Sequence, residues 1–396
     1  MDIAALQKTL REERLDGWLL YDFHGQNPTA RDALGLGGHM LTRRWFYLVP
    51  VEGPPRLLVH AIELGSFPKD VPGERLAYTS WQSLRAGLER LVGALPPRPQ
   101  VAMEYCPLAT IPYLSRVDAG TLELIRALGV SVVSSAELVQ RFLCRWSPHQ
   151  LASHVRALRA IDDAKDAAFE QIGLAQKAGR EITETAVQRF LMQEFARARL
   201  QTDHAPIVAV NGHAGDPHYE PSETRPTPIR KGDLVLIDLW AKGEKPDDAY
   251  ADITWVAFCG DRPPEKLQEI FSVTAGARDA GLAALREAWA AKKVLQGCEV
   301  DRVVRDHIAA RGYGDRFLHR TGHSIGASNV HGDGANLDDL ETHDTRLLIE
   351  GLAFSIEPGI YLPEQGLGVR SEIDVVMTGD GPQVFSKVQE EVVRIS

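Results

Sequence analysis

Leu234-Val-Leu-Ile-Asp-Leu-Trp240 is an apolar, strand-like run with one carboxylate, Asp238, set inside it. Burying such a charge is costly unless it is paired or holds a metal. The pattern returns three times: Asp252 in Ala249-Tyr-Ala-Asp-Ile-Thr-Trp-Val256, Glu357 in Ala353-Phe-Ser-Ile-Glu-Pro-Gly359, and Glu372 in Val369-Arg-Ser-Glu-Ile-Asp-Val-Val376. Between the two pairs lies Thr321-Gly-His-Ser-Ile-Gly326, which carries His323. Each acidic pair flanks a turn, so hairpin pairing is expected to bring both of its carboxylates to one sheet face. Four ionised carboxylates are balanced by two divalent cations, which predicts a dinuclear centre. Oxygen-rich ligation with one imidazole suits Mn²⁺, with Co²⁺, Fe²⁺ or Zn²⁺ as substitutes. Any one of these acids alone reads equally well as a turn cap or ion-pair partner. Asp374, two residues after Glu372, could share its face and support the ligands, but reads first as an ordinary residue.

Working outward, the acids suggest an internal repeat. Asp238 and Glu357 are 119 residues apart, and Asp252 and Glu372 are 120 apart. Gly179-Arg-Glu-Ile and Gly297-Cys-Glu-Val, 118 apart, are each expected to open a helix. The near-constant offset predicts two similar halves, each giving a hairpin with two acids, about a pseudo-two-fold axis.

Upstream, residues 1–146 alternate helix and strand and are expected to form a small α/β domain without a catalytic motif. Helices are expected at 2–14, near 81–95 and at 121–128. Strands are expected at Trp18–Phe23, Arg44–Val49, Arg56–Ile62, Val101–Tyr105 and Val130–Val133. Ser147-Pro148 then supplies an N-cap and a first-turn proline, opening a long helix to about Ala178 with another over 183–199. The domain boundary is placed there, giving domains 1–146 and 147–396.

The net charge of −10 and the lack of any Lys/Arg block argue against nucleic-acid binding. No run approaches the ~18 apolar residues of a membrane span. The N-terminus lacks a signal-peptide core, and four scattered cysteines form no Cys-x-x-Cys pair, so a cytoplasmic location is expected.

Asp238, Ala251-Asp-Ile-Thr254, Arg320-Thr-Gly-His-Ser-Ile-Gly326 with Val330-His331, Ile356-Glu-Pro-Gly-Ile-Tyr361 and Val369-Arg-Ser-Glu372 resemble, in order, the motifs of the creatinase/aminopeptidase P/prolidase superfamily, the pita-bread metallopeptidases. The resemblance covers residues 147–396. It implies an α/β N-terminal domain followed by an α+β pita-bread catalytic domain. It also implies that Asp238 binds one metal, Asp252 and Glu372 bridge two, and His323 and Glu357 complete the second. Water activated between the metals would attack the scissile carbonyl, while Glu357 carries a proton to the leaving nitrogen. His218, in Asp216-Pro-His-Tyr219, and His331 would polarise the substrate carbonyl, and Arg370 would meet a substrate carboxylate or fix the ligand set. Members often form homodimers. Trp255 stands where the family often has Arg, a change expected to alter the substrate pocket or the support of the ligands. His204, His213, His319 and His343 read as structural.

The implied activity is hydrolysis of a small peptide with proline at its second position, as a Xaa-Pro dipeptidase or as an aminopeptidase P acting on longer peptides. Three other readings compete: a metal-independent creatinase-like amidinohydrolase, a methionine aminopeptidase and a non-catalytic pita-bread binding protein. The first and last of these are disfavoured because all five ligand positions are kept. A methionine aminopeptidase is disfavoured because that type generally lacks an upstream α/β domain.

Overall fold

The computed structural model describes residues 1–396, which divide into two compact units, Met1–Leu143 and Cys144–Ser396. The first unit contains α1 (Ile3–Glu12), β1 (Gly17–Asp22), α2 (Pro28–Ala33), β2 (Trp45–Pro50), β3 (Arg56–His60) and β4 (Glu74–Tyr78). It continues with α3 (Trp81–Val92), β5 (Gln100–Met103), α4 (Ala119–Arg126), β6 (Ser131–Ser134) and the single turn α5 (Ala136–Val139). One six-stranded sheet, β4-β3-β2-β1-β5-β6, runs through it. β1 and β2 are buried at every position, as expected for strands covered on both faces. Leu84, Leu88 and Leu91 of α3 recur at helical spacing and pack with Leu122 and Ile125 of α4 on Leu19, Phe46 and Val101 of the sheet. Glu104, just past β5, is buried beneath Trp18, Asn27 and Ser135 and accepts a hydrogen bond from each at 2.7, 2.8 and 3.0 Å.

The second unit opens with α6 (Pro148–Lys177) and α7 (Glu184–Arg197), followed by β7 (Leu200–Gln201), β8 (Ile207–Val210), β9 (Leu234–Gly243) and β10 (Ala251–Cys259). Then come α8 (Glu265–Ala290), α9 (Gly297–Ala309), β11 (Ala353–Ile356), β12 (Gly359–Leu362), β13 (Leu367–Arg370), β14 (Ile373–Thr378), β15 (Gly381–Val384) and β16 (Val393–Ile395). α6 starts where the sequence predicts: Ser147 and Gln150 form a reciprocal capping box and Pro148 is the first helical residue. Gly179 does not open the next helix. It adopts φ +64° just beyond the end of α6, where the Arg180 N–H bonds the Ala175 carbonyl. α7 begins at Glu184 behind the N-cap Thr183, whereas Gly297 does open α9. The helix starts therefore do not share the offset of the acids.

β9 and β10 form the centre of the β16-β10-β9-β7 sheet, with β8 also paired to β9. Their register sets Asp238 opposite Thr254 and Asp252 opposite Trp240. Period-two alternation puts these four side chains on one face. On the other face Ile237, Leu239, Ile253 and Trp255 join the core under α6, with Ile161, Ala168 and Ile172. Trp255 therefore points away from the acids, and the expectation that it reshapes their surroundings fails. It lies under Lys165 Nζ, 3.3 Å from its ring centroid, where a second cation on strand β10 would meet like charge.

Candidate metal centre

The second acidic pair sits at a break in a long hairpin. β11 pairs with β14 and β12 with β13, and Glu357 and Glu372 occupy the two gaps between these ladders. The Glu357 N–H bonds the Thr321 carbonyl at 2.7 Å and the Glu372 N–H faces the Thr254 carbonyl at 3.4 Å, so the broken strand leans on both the histidine segment and β10. His323 is fixed through its backbone: its N–H donates to Ser355 Oγ at 3.0 Å, and its carbonyl accepts from the Ser355 N–H at 2.9 Å. This approach demands Gly322, because a Cβ there would lie 2.0 Å from the Ser355 carbonyl oxygen.

Five sequence-predicted residues thus converge. His323 Nδ1 contacts the Ser324 carbonyl at 3.0 Å, which makes Nδ1 the protonated nitrogen and turns the Nε2 lone pair into the site. Nε2 lies 3.5 Å from Asp252 Oδ2 and 3.5 Å from Glu357 Oε1. Ligand atoms of Asp252, His323 and Glu372 all fall within 4.8 Å of one another. Asp238 joins through Arg370, whose Nη2 donates to Asp238 Oδ2 and whose Nε stands 3.9 Å from Glu357 Oε2.

The donor set fits divalent cations. Asp252 Oδ1 and Glu372 Oε1 are buried and have no hydrogen-bond partner, a rare state for a carboxylate. Burial, then the charges of neighbouring acids, pushes both carboxyls well above their usual range, so the cluster repels itself unless positive charge is supplied. Burial also holds the His323 imidazole below its usual range, which keeps it neutral as a ligand must be.

Around this cluster runs a network of which the sequence singled out only Arg370 and, less firmly, Asp374. Thr254 Oγ1 donates to Glu372 Oε2 at 2.7 Å and accepts from Arg370 Nε at 3.1 Å. Arg370 Nη1 donates to the Tyr361 hydroxyl at 3.1 Å, and that hydroxyl reaches His319 Nε2 at 2.7 Å. Burial followed by the Arg370 charge holds His319 down to about 3, so it stays neutral and accepts. Asp374, which read as ordinary, is fully buried, and its Oδ2 accepts the Asp252 N–H at 2.8 Å. His154 Nε2 stands 3.9 Å from the same oxygen.

His331 is brought beside the cluster, its ring centroid 4.2 Å from that of His323. Desolvation by the cleft, then the charges of His323, Arg320 and His218, pushes its imidazole pKa down. His218 lies on an exposed loop whose base is held by the buried Glu184. That carboxylate receives the Val210 N–H at 2.8 Å and the Tyr219 hydroxyl at 2.5 Å, and contacts His213 Nδ1 at 2.9 Å. Glu184 does not stand out in sequence, and the role of Tyr361, although it ends a motif, is not legible there, because each acts only through tertiary contacts.

The profile of metallopeptidase family M24 matches residues 156–379. An uncharacterized peptidase of Bacillus subtilis (strain 168) is 33% identical over 267 residues, covering 66% of this chain and 67% of that protein. A Xaa-Pro dipeptidase of Lactobacillus delbrueckii subsp. lactis is 34% identical over 243 residues, 61% of this chain and 60% of that protein, so the match spans less than two thirds of its length. In fold, the dipeptidase PepE from Mycobacterium ulcerans superposes with a TM-score of 0.73 at 23% identity, covering 99% of this chain and 96% of that one.

Proposed function

Because the chain belongs to metallopeptidase family M24, we propose that it is a metal-dependent exopeptidase that hydrolyses Xaa-Pro dipeptides. The observation that carries this reading is the convergence of Asp252, His323, Glu357 and Glu372, with Asp238 tied to them through Arg370, around two buried, unpartnered carboxylate oxygens. Asp238, Asp252, His323, Glu357 and Glu372 would hold two divalent cations, with Mn²⁺ the best match to oxygen-rich ligation. Such cations supply the Lewis acidity that makes water nucleophilic at neutral pH.

The side chains do the rest. Glu357 is the least enclosed of the four acids, with 16% of its side chain exposed, and Ser355 Oγ steadies its Oε1 at 3.2 Å. It takes a proton from the attacking water and returns it to the prolyl nitrogen, a poor leaving group until protonated. His331 and His218 donate to the carbonyl oxygen as negative charge develops there. Arg370 spends Nε, Nη1 and Nη2 on Thr254, Tyr361 and Asp238, so of its two expected roles it takes that of fixing the ligands.

On the same reading, residues 1–146 are the N-terminal domain of the creatinase/prolidase type and 147–396 the pita-bread catalytic domain. The near-constant offset between the two acidic pairs reflects a pseudo-two-fold repeat of the catalytic half. The protein acts as a cytoplasmic homodimer on this reading. The test is metal analysis together with turnover of Ala-Pro and Ala-Pro-Pro. Two bound Mn²⁺ per chain and preferential cleavage of the dipeptide are expected. Preference for the tripeptide would make it an aminopeptidase P, and full metal loading with neither substrate cleaved would end the peptidase reading.

A further inference from the structure

The segment Thr202–Pro206 links β7 to β8 along the edge of β9. β7 pairs Gln201 with Lys242, and β8 pairs Ile207 with Asp238, so the segment flanks Leu239–Ala241. Trp240 lies there, directly across the ladder from Asp252 and one side-chain step beyond Asp238. Side chains on one strand face are about 7 Å apart per step. Trp240 Nε1 donates to Asp203 Oδ1 at 2.8 Å. Asp203 is exposed and forms no ion pair, and the segment that carries it runs beside the strand that bears Asp238. The chain therefore keeps a carboxylate without an ion-pair partner, fastened to an indole, one side-chain step along the strand face from Asp238. The four acids inside are committed to cations; this one is not.

The reading given under Proposed function requires a cationic group close by. In a dipeptide the α-ammonium is two bonds from the scissile carbonyl carbon, so it falls within one strand step of the metal ligands. A charge-assisted hydrogen bond to a carboxylate is the usual way to hold such a group. Resting on that reading, we propose that Asp203, held in place by Trp240, is the subsite for the free α-ammonium of the substrate. The subsite makes an unblocked N-terminus a requirement for efficient cleavage.

The test compares Ala-Pro with propionyl-Pro, which lacks only the amine, in metal-loaded wild type, Asp203→Asn and Asp203→Glu. Asn keeps the acceptor for Trp240 and removes only the charge. The ratio of kcat/KM for Ala-Pro over propionyl-Pro is expected to fall about tenfold in Asp203→Asn, mostly through KM, and to recover in part in Asp203→Glu. Metal content is expected to match wild type in both variants. An unchanged ratio, an equal loss on both substrates or a loss of metal overturns the subsite, as does a wild type that cleaves both equally. In each of those cases hydrolysis of Ala-Pro by the wild type leaves the dipeptidase reading standing. If the metal-loaded wild type cleaves neither compound, that reading falls and the subsite with it.

Discussion

Glu357 differs from Asp252 and Glu372 in keeping a path to solvent, as a group that passes a proton between water and substrate must. Glu357→Gln is expected to lower kcat by at least about 10³-fold while the folded state persists, checked by single-turnover kinetics beside circular dichroism. His331→Ala should lower kcat by roughly 10²-fold with metal content intact, because His331 neighbours His323 without replacing it. Atomic absorption separates the two outcomes: metal loss in His331→Ala would move that residue into the ligand set. In the first unit, Glu104→Gln turns an amide NH₂ toward Asn27 Nδ2 and should cost about 1–3 kcal/mol. Burial raises the Glu104 pKa in the fold. Its contribution is therefore full below the unfolded value and declines as pH rises through the folded one. Urea midpoints should accordingly show the penalty of Glu104→Gln shrinking as pH rises above the ordinary carboxylate range. At this scale the sequence exposes what is chemically out of place. Asp238 and Asp252 are conspicuous because carboxylates do not belong in apolar strands. Thr254 and Tyr361 lie inside recognisable motifs, yet their roles pass unnoticed because these depend on partners up to 118 residues away, and nothing in the local sequence marks Glu184 at all.

At the level of elements, period and punctuation carry different amounts of information. The β9 and β10 runs predict a hairpin, and the ladder of Asp238 against Thr254 is the form it takes. Ser147-Pro148 marks the start of α6 because both residues favour that position on their own chemistry. Gly179 misleads because glycine suits a left-handed helix end as well as a start, and only the backbone distinguishes them. Trp255 misleads for a related reason: its role depends on which face of β10 it occupies, and one step along a strand reverses the face. Gly322 illustrates the same dependence on tertiary structure. Gly322→Ala would set a Cβ against the Ser355 carbonyl, displacing the His323 segment from β11. A loss of roughly 1–3 kcal/mol is expected, with weaker metal binding than wild type by titration calorimetry. Unchanged affinity would mean that the segment moves without taking His323 with it.

For the whole molecule, the acids that shape the site are also a liability when no cation offsets them. Chelation should lower the melting temperature by on the order of 5–10 °C, for ligand present near a hundredfold above its Kd. Scanning calorimetry with and without chelator measures this, and coincident transitions would contradict the proposed charge balance. The five proposed ligands also come from separate segments spread between Asp238 and Glu372, and none of them assembles until β9, β10, β11 and β14 have found their partners. A chain still searching for its topology therefore offers a cation no preformed grip, and closing those long loops must precede any reward from binding. The metal consequently acts as a latch on the finished fold and not as a seed for it. Stopped-flow measurements should find refolding rates insensitive to Mn²⁺, while the rate of escape from the native state falls steeply as the ion is added.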